Sequence, residues 1–203
     1  MEEQAGCGEG WRVRKRTATL RRIAEEGLRL FTERGYDETT LEVVAEAAGV
    51  SARTLFHYFG TKDEILQYWK GTGFLEAIRP TILAEPADQP PLTALRHAII
   101  ALMSRYETEK TVQVDRILNS TEALRVRKQA FYIELESLIF AASCEVWPAP
   151  ERRPDLRMTA VLGVSAVRLA TEARRNDPEG RPLTEHLNET FDRLGAVAGT
   201  ACR

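Results

Sequence analysis

The sequence predicts an all-α fold: a group of short helices near the N-terminus, followed by a larger helical domain. Three observations predict it. Apolar residues recur at i, i+3, i+4 and i+7 along most of the 203 residues. Capping and stop signals bracket the segments marked in this way. No stretch alternates apolar and polar residues with β-branched enrichment, so no sheet is expected.

The elements follow in order. Residues 1–10 hold three glycines and no periodicity, and read as a disordered tail. From Thr17 to Arg34 the apolar positions Leu20, Ile23, Ala24, Gly27, Leu28 and Phe31 share one helical face, and Gly35 is the stop. Thr39-x-x-Glu42 reads as a capping box opening a short helix through Ala48, ended by Gly49. Ser51 caps a third helix over Ala52 to Phe59, and Thr61-x-x-Glu64 is a second capping box opening a fourth. This group occupies residues 11–66. Over 67–203, helices are expected at 91–108, 111–120, 122–147, 154–176 and 183–200. Pro80, Pro86, Pro90, Pro91, Pro148, Pro150, Pro154 and the run Asp177-Pro178-Glu179-Gly180 mark the breaks.

Composition narrows the chemistry. Hydrophobic residues make up 43% and charged residues 29%, as in an ordinary globular protein, and the net charge is −2. The charge is uneven: Arg12, Arg14, Lys15, Arg16, Arg21 and Arg22 fall between Trp11 and Arg22 with no acidic residue among them. Cys7, Cys144 and Cys202 are far apart, and His57, His97 and His186 have no ligand spacing, so neither a disulfide framework nor a metal site is expected. The thiols read as those of a reduced, cytoplasmic protein. No apolar run of ~18 residues suits a membrane span. Glu2, Glu3 and Glu9 stand where a signal peptide would be basic and then apolar. No nucleophile–base pair, phosphate loop or dinucleotide glycine pattern is present, so the expectation is a protein that is not an enzyme and carries no cofactor.

The segment Thr40 to Phe59 meets the physical demands of a helix-turn-helix. Ala45 is small enough for two helices to approach, and Gly49 supplies the positive φ of a sharp turn. Val44, Ala48, Val50 and Leu55 suit the space between the helices, which leaves Ala52, Arg53, His57 and Tyr58 facing outward. By spacing alone, an ordinary αα-hairpin fits as well. The residues Gly35-Tyr36, Thr39-Thr40, Ala45, Ala48-Gly49-Val50-Ser51, Thr54-Leu55-Phe56-His57-Tyr58-Phe59 and Lys62-Asp63-Glu64-Ile65-Leu66 together resemble the N-terminal domain of the tetracycline-repressor-like (TetR) family.

That resemblance implies roles. Thr40 would hold a phosphate, as would His57 and Tyr58, with Lys62 adding a charged contact. Ser51 and Thr54 would meet phosphate or bases near the start of the recognition helix. Ala52 and Arg53 would read base edges, Arg53 through a bidentate contact with guanine. Leu55 and Phe59 belong to the core, while Phe56 is divided between core and DNA. Glu42, where the family often has a polar or basic residue, is read as the capping partner of Thr39. For the basic stretch, with Arg14 and Arg16, two readings stay open: a solvated face, or an arm that touches phosphates or enters the minor groove.

For the C-terminal half the resemblance implies a ligand-binding and dimerisation domain, with the last two helices pairing with their mates in a homodimer. Ala160, Gly163, Val164, Ala166, Val167 and Ala170, with Leu183, Leu187, Phe191, Leu194 and Val197, suit that pairing or a self-contained core. Trp69, Ile99, Met103, Tyr106, Phe131 and Leu135 are candidates to line an effector pocket or simply to fill a core. The function implied is a ligand-responsive repressor on double-stranded, pseudo-palindromic DNA, released by a small hydrophobic effector, in the cytoplasm at the nucleoid. A regulator without a small-molecule ligand, or an activator, is the alternative.

Overall fold

The computed structural model describes residues 5–69 and 73–200, and every regular element among them is helical. The helices, in chain order, are α1 (Ala5–Arg34), α2 (Leu41–Ala47), α3 (Ala52–Tyr58), α4 (Lys62–Trp69), α5 (Phe74–Leu83), α6 (Pro91–Tyr106), α7 (Glu109–Leu118), α8 (Glu122–Val146), α9 (Arg153–Arg175) and α10 (Leu183–Thr200). A 3₁₀ turn, Pro150–Arg152, leads into α9. The chain divides into two compact units: α1–α4 with Lys110–Ile117 of α7, and Gly73–Glu109 with the residues from Leu118 onward. The expected tail behaves differently from its reading: residues 1–4 lie outside the described residues, and α1 already runs from Ala5. No proline interrupts residues 5–34, so nothing stops the helix from extending backward.

In the first unit, α1 buries Ile23, Ala24, Leu28 and Phe31, the stripe its spacing marks. Gly27 belongs to the same face for a steric reason: a Cβ there would stand 2.8 Å from Ile65 Cγ2 of α4. The C-terminal end of α4 is tied to α1 by the Trp69 indole, whose Nε1 donates to the Ala24 carbonyl at 2.9 Å.

The second unit has its core between α5, α6, α8, α9 and α10. Helix α5 is absent from the sequence expectation because Pro80 falls inside it. Proline costs about 3 kcal/mol in a helix interior, yet Phe74, Ile78 and Ile82, at i, i+4 and i+8, are buried, and their burial contributes more. Pro80 itself is exposed, so the carbonyl it leaves unbonded in the preceding turn is on the solvent side. Trp147 closes α8, buried, with Nε1 donating to the Ala87 carbonyl at 2.9 Å. Cys144 is a half-buried free thiol; Cys202 and the side chain of Cys7 lie outside the described ones. Among the described residues no group of His, Cys, Asp or Glu is placed to hold a metal, and no helix is long and apolar enough to cross a membrane.

The α9–α10 connection is organised by Asp177. Its carboxylate accepts from the Glu179 N–H at 3.0 Å, from the Arg181 N–H and Nε, and contacts His186 Nε2 at 3.0 Å. The Glu179 N–H, helped by Arg181 and opposed by desolvation, lowers this carboxyl from 3.8 to about 2. A depressed carboxyl pKa stabilises the fold above the unfolded value, and that contribution disappears as pH falls through the folded one. Asp177→Asn is therefore expected to lower the urea midpoint at pH 6, with the difference from wild type shrinking between pH 4 and 2. A difference that stays constant over that range would show that the charge of Asp177 stabilises nothing.

Candidate nucleic-acid interface

The first unit holds its helix-turn-helix by local hydrogen bonds that the sequence dictates. Helix α2 ends in a Schellman turn: the Val50 N–H donates to the Ala45 carbonyl and the Gly49 N–H to Glu46, both at 3.0 Å. Gly49 takes φ +63°, the left-handed conformation that a side chain would strain. Val44, Ala48 and Leu55 are buried, as is Ala45, while Val50, expected with them, is half-buried. Ser51 caps α3: its Oγ accepts from the Thr54 N–H at 3.1 Å and lies 2.8 Å from the Thr54 hydroxyl. The Thr61 Oγ1 accepts from the Glu64 N–H, and the Glu64 carboxylate accepts from the Gly60 N–H at 2.9 Å. The box closes on Gly60, one residue earlier than the standard pattern.

The first capping box is corrected. Thr40, not Thr39, is the N-cap of α2, its Oγ1 accepting from the Val43 N–H at 3.4 Å. Thr39 is buried and turns back to donate to the Gly35 carbonyl at 2.8 Å, locking the end of α1. Glu42 is therefore not the partner of Thr39. It is exposed in the first turn of α2, where the helix dipole favours a carboxylate.

Helix α3 buries only Leu55, and Phe59 follows it into the core. Ala52, Arg53, Phe56 and His57 are exposed, with Thr54 and Tyr58 half-buried. Spacing left Phe56 undecided; at 48% exposure it belongs to the outward face with Arg53, three residues before it. The His57 and Tyr58 rings meet edge-on with centroids 5.3 Å apart, which fixes both at the end of the helix. Lys62 is half-buried, its Nζ donating to the Tyr36 carbonyl at 2.6 Å and standing 4.4 Å from the centre of the Tyr36 ring. That ammonium secures the loop before α2, a task with no signal in the sequence because its acceptor is a backbone carbonyl 26 residues away. Arg14 and Arg16 are exposed on the leading part of α1.

The effector candidates separate. In the second unit Ile99, Met103 and Leu135 line a void together with Phe74, Ile78 and Leu102. The void measures about 10 Å³, room for one water molecule. Tyr106 and Phe131 are not among its lining residues; they pack on Phe74, and the Tyr106 hydroxyl donates to the Gly73 carbonyl. Trp69 belongs to the first unit, bonded to α1 with Lys110 Nζ 4.4 Å from its ring centre, and lines no part of that void.

The pairing stripe also needs revision. Ala160, Gly163, Val164, Ala166, Val167 and Ala170 of α9 are buried in the chain's own core, as are Leu183, Leu187 and Phe191 of α10, while Leu194 packs against it. Their small size serves the approach of α6, whose Leu95 and Ile99 crowd Gly163. The opposite edge of α9 carries Met158, Leu162, Ser165 and Leu169 at steps of 4, 3 and 4, with Met158 60% and Leu169 47% exposed. Val197 of α10 is exposed as well.

Comparison with known proteins agrees with this geometry. Residues 23–68 match the model of the bacterial regulatory proteins of the tetR family. The HTH-type transcriptional regulator TcmR of Streptomyces glaucescens is 34% identical over 112 residues, which is 55% of this chain and 49% of TcmR, so the match spans about half of that relative. Among solved structures, the SmeT–triclosan complex superposes with a TM-score of 0.62 at 20% identity, covering 87% of this chain and 91% of SmeT. NalD of Pseudomonas aeruginosa, the secondary repressor of the MexAB-OprM multidrug efflux pump, gives 0.59 at 23% identity, covering 89% and 96%. At these identities the structures establish the shared fold. Residues 23–68 thus carry a helix-turn-helix DNA-binding domain of the tetR family, and most of the chain shares the fold of the SmeT and NalD structures.

Proposed function

We propose that the chain is a repressor that binds a pseudo-palindromic operator as a homodimer and is released by a small hydrophobic effector. The observation that carries the DNA reading is α3: one buried side chain anchors it, and Ala52, Arg53, Phe56 and His57 face outward beside a tightly closed turn. Arg53 and Ala52 read base edges in the major groove. Ser51, Thr54, His57 and Tyr58 hold the flanking phosphates, with Lys62 beside them and Arg14 and Arg16 along α1. The Thr40 hydroxyl accepts from Val43 and keeps its own hydrogen for a phosphate. One such helix reads few base pairs, so two, about one DNA turn apart, make a specific site. The outward edge of α9 with Met158, Leu162 and Leu169, next to α10, supports pairing there.

Selection of duplexes from a random library tests this. Wild type should enrich half-sites about 10 base pairs apart, and Arg53→Ala should relax one position per half-site by about 1–3 kcal/mol. Recovery of no common sequence would sink the reading.

The effector part rests on the apolar core of the second unit. Triclosan bound to SmeT is an example of such a ligand on a similar fold. The void of about 10 Å³ holds no molecule of that kind as it stands, so an effector entering there would part α5, α6 and α8. The same small void favours a second reading, a regulator without a small-molecule effector. A panel of hydrophobic compounds separates them: an effector at about 100 times its Kd adds about 2.7 kcal/mol of stability and weakens operator binding. Residues 110–117 join the DNA-binding unit while the segments before and after them belong to the other, so chain connectivity supplies a route for the signal.

A further inference from the structure

The basic run before the helix-turn-helix is built as helix, and this decides how it meets DNA. Trp11 and residues 13–18 are all exposed, and Ile23 is the first described residue of α1 that is buried. The 12 residues from Trp11 to Arg22 therefore make an arm about 18 Å long, continuous with the helix that forms the core of the DNA-binding unit. Arg14, Lys15 and Arg16 follow one another at about 100° steps, so positive charge surrounds more than half of the arm. Among the described residues no carboxylate pairs with Arg14, Lys15, Arg16 or Arg22; Arg21 alone in the run is matched, by Glu25 at 3.0 Å. The ring of Trp11 lies 5.0 Å below Lys15 Nζ.

A helix that packs on nothing and crowds like charges is marginal by itself. Its complement is a polyanion, and the polyanion at hand is the duplex gripped by the rest of the same rigid helix unit. An α-helix is about 10–12 Å across, and the minor groove is about 6 Å wide. The arm as built does not enter it.

We propose that the arm lies along the phosphates flanking each half-site, outside the base pairs read by α3, and adds affinity without sequence preference. This rests on the DNA-binding reading above. At about 3.4 Å per phosphate along one strand, 18 Å of helix spans about five phosphates. The operator footprint is then longer than its recognised sequence on both sides.

The test uses the full chain and the duplex recovered from the random library, made in two lengths: half-sites only, and half-sites with about 10 further base pairs on each side. The comparison variant is Arg14→Gln/Lys15→Gln/Arg16→Gln, whose positions are exposed and whose glutamines keep helix propensity. Wild type should bind the longer duplex about 10-fold more tightly or better at low salt, with a salt slope steeper by up to about 0.9 per phosphate contact. The variant should bind both lengths alike and select the same sequence as wild type. Equal wild-type affinity for the two lengths would overturn the proposal. So would a variant whose preference changes at flanking A·T positions, because that places an unwound arm in the minor groove. A wild-type chain that recovers no sequence overturns the DNA reading itself, and the arm with it.

Discussion

Leu55→Ala is expected to abolish specific DNA binding and to lower the stability of the chain by about 2–5 kcal/mol. Leu55 is fully buried and is the only buried side chain within α3. Seven residues make two turns, well below the length at which an isolated helix persists in water, so tertiary anchoring decides whether α3 exists. Truncation leaves a cavity in the core of the unit in which Val44 and Ala48 are also buried. Tyr58, Phe59 and the Ser51 cap remain, but they fix the ends of the helix rather than its middle. Urea melts and gel-shift titrations read the two effects. Wild-type affinity with an unchanged midpoint would show that α3 is held by something other than Leu55.

Leu169→Glu is expected to convert the proposed homodimer into a monomer and to weaken operator binding by on the order of 100-fold or more, since the second half-site is then no longer tethered. In a twofold interface each substitution occurs twice, so two carboxylates would be desolvated in one interface. Leu169 is 47% exposed, and the inward residues of its helix, such as Val167 and Ala170, are already used in the core. The folded chain should tolerate the change, which separates pairing from stability. Sedimentation would show halved mass, and a single half-site duplex should bind as before. Unaltered dimer mass would place the interface elsewhere.

Local signals carried most of the fold. Ser51 before Ala52, Thr61 with Glu64, and Gly49 in the turn each act within a few residues, and each closes its cap or turn, though Glu64 reaches the N–H of Gly60 rather than that of Thr61. Errors arose where a distant partner decides. Thr39 and Thr40 are equal as caps on paper; the carbonyl of Gly35 after α1 captures the buried Thr39 and leaves Thr40 to cap. Pro80 argued against a helix that a distant apolar core nonetheless holds. The small residues of α9 signalled close packing correctly, but a pattern of small residues does not say whether the helix approached belongs to the same chain; here it is α6. The Trp69 indole N–H is bonded to a carbonyl of α1 45 residues away, a tie that no local pattern announces.

The three tryptophans of the chain have three different surroundings, and this gives the protein its own optical labels. Trp11 is on the solvent-exposed arm, beneath Lys15. Trp69 is fixed inside the DNA-binding unit, bonded to Ala24 and capped by Lys110. Trp147 is buried at the end of α8 in the other unit, bonded to Ala87. Chains retaining one indole each would emit at distinct wavelengths, the arm reddest and the buried ring bluest. Operator duplex would then perturb the emission of Trp11, effector entry that of Trp147, and Trp69 would report whether one event is felt by the other.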